Sequence, residues 1–384
     1  MRDEDRVPQG FLCDGRLDGK GSKPIAYSTL LGSVAVTRAT SRCLVCHQGV
    51  APLDELLETT PQGMTPAFAS AVALVGASEA YAQAETLLET VLQQKVDDNR
   101  VQQTVAYVGK LGLRWMILEG EELEQALAEL PTAEPVTVYV GVDGGRIRFR
   151  DAGWREPCEG VLWWRDPVSG QGKRVVVGDV RNKANVQDAL DRFLRGAQSC
   201  CRQLTLVLIA DGAEWIWRWA EQYEDAIKIL DYYHLKEPLY RAAEALYPQD
   251  AARVRPWVKN LDTLLWEGDV AEAVAQLGRL RPQGTTTEKA HQQAALDELA
   301  TYLRNHAGLI AYAEHRQHHR DIGSGVVESM CKQLFNMRLK GPGMFWSETG
   351  AQAVIHLRAV RLSNRWNQLW APPPPAEGQL AVAA

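Results

Sequence analysis

Three acidic residues stand where carboxylates could share divalent cations. Asp143 ends an apolar run, VTVYVGVDGG, Asp211 ends a second, LTLVLIADGA, and Glu328 lies in a later stretch, GSGVVESMCKQLFNMRLKGPG. An acid at the tip of a buried strand is desolvated enough to hold a hard cation and open enough to admit a phosphate. Three such groups can hold two Mg²⁺ or Mn²⁺ ions about 3.5–4 Å apart, which activate an attacking oxygen and stabilise the leaving one in phosphodiester displacement. Each Asp precedes a glycine, so each also reads as a turn residue. For Glu328 the competing reading is a surface ion pair with Lys332 one turn away.

The elements that must position these acids are legible as a change of pattern. From Val136 the chain turns to β-branched residues. Val136–Val142 is a short apolar run, Arg146–Arg150 alternates, and Gly160–Trp164 and Lys173–Gly178 follow. These predict strands joined by hairpins. A helix is expected over Asn185–Ser199, a fully buried strand over Leu204–Ala210, a helix over Gly212–Tyr223 and a short strand over Ala226–Leu230. Glu328 falls on a helix expected to start at Gly323-Ser324-Gly325 and to stop at Gly341-Pro342-Gly343, where proline removes a donor. The succession of three antiparallel strands, helix, strand, helix, strand is that of a ribonuclease-H-like α/β core, a mixed sheet flanked by helices.

Other residue clusters carry competing readings. Cys43-Leu44-Val45-Cys46 has the spacing that lets two thiolates reach one tetrahedral ion, with His47 beside it and Cys13 upstream. This is a candidate Zn²⁺ knuckle, against ordinary thiols. Ser33–Thr37 reads as a short strand between the cysteines. His315, His318 and His319 have metal-ligand spacing, but the interleaved Arg316 and Arg320 favour phosphate contact or solvation. Trp215 and Trp219 share a helix face, so core packing outweighs base stacking. Lys332, Arg338, Lys340 and Trp346 follow the third acid closely and are candidates for holding a DNA backbone.

The domain plan expected from these patterns places a candidate zinc-knuckle region over residues 1–57 and a helical region over 58–134. The catalytic core covers 135–234 and 320–370, interrupted by an all-α insertion over 235–319, whose helices should break at Pro256, Pro282 and Gly284. A proline-rich disordered tail covers 371–384. With 384 residues, 46% of them hydrophobic, the chain can bury several cores. No apolar run approaches the ~18 residues of a membrane span and no signal peptide is evident, so a cytoplasmic protein without a membrane partner is expected. The seven cysteines read as reduced thiols or metal ligands. The net charge of −6 weighs against nucleic acid, yet its distribution is uneven. His315–Trp366 holds eight Lys or Arg against three acids, whereas Gly76–Pro135 holds four against eleven, so the C-terminal part is where DNA would bind.

The blocks VDGGRIRFR, IADGAEWIW, ILDYYHLKEPLY and GSGVVESMCKQLFNMRLKGPGMFWSETGAQAVIHLRA resemble the ISKra-type bacterial insertion-sequence transposases, relatives of the Mutator-like group. The resemblance covers the chain from Ser28 to Trp370. It implies a DDE triad of Asp143, Asp211 and Glu328, with Asp231 and His234 as a supporting acid-x-x-His element. It further implies Mg²⁺- or Mn²⁺-dependent cleavage and strand transfer, DNA ends and target DNA as partners, and a homo-oligomer assembled on DNA. The chain departs from the pattern in its first knuckle, where only Cys13 stands, and in its short N-terminal region. These departures suggest a second outcome, a truncated or domesticated copy that binds DNA without cutting it.

Overall fold

In the computed structural model the described residues are 15–370. The strands in chain order are β1 (Leu17–Thr29), β2 (Gly32–Cys43), β3 (Gly49–Val50), β4 (Val136–Gly144), β5 (Ile147–Phe149), β6 (Gly153–Arg155), β7 (Cys158–Arg165), β8 (Gly172–Asp179), β9 (Leu204–Ala210) and β10 (Ile227–Leu230). The chain divides into two compact units. One comprises Met1–Met116, Ile147–Arg155 and Leu334–Ala384, and the other Ile117–Arg146 and Glu156–Gln333. No helix among the described residues is long and apolar enough to cross a membrane.

In the first unit β1 and β2 form a long antiparallel hairpin, with β3 added beside β2. The short strand expected over Ser33–Thr37 is therefore the first half of a twelve-residue one, Gly32–Cys43. Its partner β1 went unread because LDGKGSKPIAYST has no apolar alternation, and a mostly exposed ribbon does not need one. The helices Pro66–Gly76, Tyr81–Leu92 and Asp98–Leu111 fall within the region expected to be helical. Helix Asp98–Leu111 packs on Glu348–Leu362 so closely that a Cβ on Gly109 would lie 2.6 Å from that of Ala353. The Arg146–Arg150 segment does not join the main sheet. It supplies β5, which pairs with β6 in a separate ribbon and bridges to Trp346.

The second unit is a mixed five-stranded sheet in the order β10-β9-β4-β7-β8, flanked by helices. β10, β9 and β4 run parallel, and β7 and β8 are antiparallel to their neighbours. The central strands are buried on both faces, which is why they read as unbroken apolar runs. Helix Lys183–Cys200 buries Val186, Leu190, Phe193 and Leu194, and Gly160 of β7 leaves room for Leu190, 2.8 Å from where a Cβ would stand.

Beyond β10 the chain forms helices Tyr232–Leu246, Ala251–Trp266, Val270–Arg279 and Thr286–Asn305. Each begins at a side-chain cap: Asp231, Asp250, Asp269 and Thr285 accept from backbone N–H groups, and Thr285 completes a capping box with Glu288. The expected break at Pro282 and Gly284 falls in the loop before Thr285. That at Pro256 does not occur, because the residue sits inside Ala251–Trp266 and helix capping and packing outweigh the lost backbone bond.

Candidate metal centre at the strand tips

The register of the sheet aligns its acids. β4 and β9 pair as Val136↔Leu204 through Val140↔Leu208, and three residues further along each chain stand Asp143 and Asp211. β9 and β10 pair up to Ala210↔Leu230, so the next residues are Asp211 and Asp231. On the other side of β4, Asp143 is the direct partner of Glu159 on β7. Four neighbouring strands thus bring Asp231, Asp211, Asp143 and Glu159 into one row. Glu159 was missed in the sequence because the strand was read as starting at Gly160. The signal was an acid in CEGVLWWR, a strand otherwise apolar up to its terminal arginine.

Glu328 comes from helix Gly325–Cys331, which is fixed over this row at both ends. Ser324, the residue before the helix, donates its N–H to Asp231 Oδ2 at 2.6 Å and its hydroxyl to the same oxygen. Its hydroxyl therefore ties the helix to β10 rather than capping its own first turn. At the far end the buried Cys331 thiol lies 3.9 Å from Gly144 O and faces the Asp143 carboxyl. Between these, Val327 packs on β4 through the space left by Gly141, where a Cβ would meet its methyl at 2.4 Å. Ser324, Glu328 and Cys331 follow at spacings of four and three, so they share a helix face. Glu328 lies between these two anchors along the helix, but it is exposed, and among the described residues the ligand cluster joins Asp143 with Glu159 and Cys331 and not with Asp211 or Glu328. Among the described residues Glu328 makes no ion pair with Lys332.

The electrostatics are those of an undercompensated acidic cluster. Burial pushes the Asp143 carboxyl up, and the Asp211 charge adds to this against the Gly144 N–H, which donates at 2.6 Å, the Cys331 thiol and His234. Glu159 is fully buried, and neither carboxylate oxygen has an aligned hydrogen-bond donor. Burial, then the Asp143 charge, hold it well above the carboxylate range, and the nearby Cys331 backbone N–H offsets little of this. Asp231 behaves oppositely. Burial works against its charge, but His234 and Ser324 outweigh that and hold it down at about 2. His234 Nδ1 lies 3.4 Å from Asp231 Oδ2, a contact too poorly aligned for a good hydrogen bond but close enough to raise the imidazole to about 9. Asp231 is thus satisfied and structural, whereas Asp143 is only partly compensated by His234 and Glu159 has no aligned donor. Oxygen donors without partners at a strand tip fit a divalent cation, and Asp143, Glu159 and Cys331 offer ligand atoms all within 4.8 Å of one another.

A cleft of about 360 Å³ opens beside Asp211, lined by His234, Glu237 and Arg241 on one helix and Glu298 and Tyr302 on another. Gly212 lets Tyr302 approach the strand tip, since a Cβ there would stand 2.6 Å from its hydroxyl. Burial and the charges of Asp211, Glu237 and Asp231 push Tyr302 up to about 12.

The remaining expected residues are placed as follows. Lys332 and Lys340 are exposed. Arg338 and Trp346 are buried: Arg338 Nε donates to Gly76 O at 3.2 Å and its guanidinium stacks on Tyr81 and Trp346, whose Nε1 donates to Leu339 O. Both are therefore engaged in packing rather than offered to a DNA backbone. Trp215 lies under Lys183 and Trp219 donates to Asp191, in keeping with packing. His315 is buried beside Arg320, and the three histidines form no metal-ligand cluster among the described residues. Cys43 Sγ accepts from the N–H groups of Val45 and Cys46 at 3.4 Å, and Cys46 and His47 are exposed. Cys13 lies outside the described residues, as does the tail over 371–384.

Residues 181–368 match the model of an uncharacterised protein family, UPF0236. The match takes in Asp211, Asp231, His234, Glu328 and Cys331, but starts beyond Asp143 and Glu159. No curated protein matches the chain.

Proposed function

We propose that this chain is a metal-dependent DDE transposase of the ISKra type, with a ribonuclease-H-like core that cuts the ends of an insertion sequence and joins them to target DNA. What supports this reading is that the β4–β9 pairing ends three residues short of both Asp143 and Asp211, whose charges feel each other, and that the helix carrying Glu328 is tied to neighbouring strand tips. In it Asp143, Asp211 and Glu328 would hold Mg²⁺ or Mn²⁺, which supplies activation of the attacking hydroxyl and charge stabilisation at the phosphate. The carboxyl of Asp143 is raised mainly by burial and further by the Asp211 charge, and a bound cation would favour its charged form. His234, protonated at neutral pH, offsets charge beside Asp211 and can donate to a phosphate oxygen. The exposed Lys332 and Lys340 are suited to backbone contacts that position DNA without reading its sequence.

The test is cleavage and joining of labelled element ends. Asp143→Asn, Asp211→Asn and Glu328→Gln should each lower cleavage at least ~1,000-fold, the scale of losing a central electrostatic stabiliser, while leaving end binding intact. Undiminished cleavage in any of them overturns the assignment. Binding without cleavage by the wild type in either metal points instead to a DNA-binding relic, and cleavage without joining to a nuclease.

A further inference from the structure

Glu159 has no place in the triad, yet it is the most conspicuous acid in the protein. It is fully buried, its oxygens lack aligned donors, and it faces Asp143 across the β4–β7 ladder. The Cys331 sulfur closes the third side. We propose that Asp143, Glu159 and Cys331 form a mixed oxygen–sulfur cation site, which takes Mn²⁺, Co²⁺ or Zn²⁺ in preference to Mg²⁺. The site shares Asp143 with the proposed catalytic centre and would make that centre selective for its metal, but the binding itself does not depend on transposase activity.

Three arguments lead there. Bonds of about 2.0–2.3 Å to oxygen, nitrogen or sulfur spread the donors around one ion over at most about 4.6 Å. The three ligand atoms already lie within 4.8 Å of one another, so closure onto an ion needs only small side-chain rotations. An acid buried without donors is costly unless something compensates it, and a cation does so where no lysine or arginine is supplied. Finally, sulfur discriminates: Mg²⁺ takes oxygen ligands almost exclusively, whereas borderline cations accept thiolate. Cys331 is carried by the same helix as Glu328, one turn further on, so cation binding here would also fix the position of the third acid.

The test uses the full chain with Cys43→Ser and Cys46→Ser, which removes the candidate knuckle as a competing thiol site. After chelation, Co²⁺ should produce a near-ultraviolet thiolate-to-cobalt charge-transfer band. Cys331→Ser should abolish the band, Glu159→Gln should weaken Co²⁺ and Mn²⁺ binding at least tenfold, and Asp211→Asn should retain the band. Glu159→Gln should also melt no lower than the parent without metal while losing most of the metal-induced rise in Tm, which separates lost binding from misfolding. Absence of the band in the parent, its survival in Cys331→Ser, or Co²⁺ binding unchanged by Glu159→Gln overturns the proposal. These readouts are independent of DNA. A protein that shows the band but does not cut DNA keeps this site and loses the transposase reading, and one that cuts without the band does the reverse.

Discussion

Asp143 and Glu159 are direct partners across the β4–β7 ladder, and only Asp143 has an aligned hydrogen-bond donor, the N–H of Gly144. Burial without donors makes the charged form of Glu159 costly, and the Asp143 charge opposite adds to that. The arrangement is therefore a strain on the metal-free protein.

Glu159→Gln should relieve that strain. The folded carboxyl sits well above its ordinary range, so the native state binds the extra proton, and stability falls as pH rises above the unfolded value of about 4.3. Wild type and variant should denature alike near pH 4. By neutral pH the chelated variant should be the more stable by about 1–3 kcal/mol, as read by urea unfolding at each pH. Equal stability at both ends would show that the two acids do not repel.

Asp231 and His234 should impose the opposite signs. Asp231, depressed to about 2, contributes stability above its unfolded value of about 3.9, lost as pH falls towards 2. His234, raised to about 9, contributes stability in full below about 6.5, lost as pH rises through 9. His234→Gln should flatten the alkaline limb between those values and leave the acid limb in place. A thermal-melt series across pH checks both limbs.

Ser324→Ala removes a hydroxyl that donates to a buried, charged carboxylate. The expected loss is about 1.5–3 kcal/mol, more than for an exposed cap. Hydrogen exchange should rise in Gly325–Cys331 before it rises in β4. A loss below ~0.5 kcal/mol would mean that the helix is held mainly by Val327.

Gly212→Ala places a methyl against the Tyr302 ring, 2.6 Å from its hydroxyl. It should cost about 1–3 kcal/mol. Tyr302→Ala in the same chain should restore part of that, a coupling measurable in a double-mutant cycle.

The sheet was legible because its central strands are buried on both faces, and so read as apolar runs ending in an acid. That Asp143 and Asp211 stand on neighbouring strands follows from the strand order expected of a ribonuclease-H-like core and not from the runs themselves. Glu159 was not legible, since an acid that begins a strand looks like the end of a loop, and only pairing to Asp143 shows what it faces. Ser324 reads only as part of the helix start, because a local role can be inferred from spacing and a bond to Asp231 across the chain cannot. Arg338 reads as a DNA contact because it is basic and follows the third acid closely in sequence. Its burial against Tyr81 and Trp346 depends on residues distant in sequence. Of the hairpin β1–β2 only Ser33–Thr37 is legible, since β1 shows no apolar alternation.

The helix carrying Glu328 takes its position from Ser324 on one strand tip and Cys331 on another. Its placement is thus inherited from the sheet and from the first turn of helix Tyr232–Leu246, where the Tyr232 N–H donates to Ile322 O and Gly323 packs on Tyr233. The tract beyond that turn reaches the last carboxylate only through these moorings.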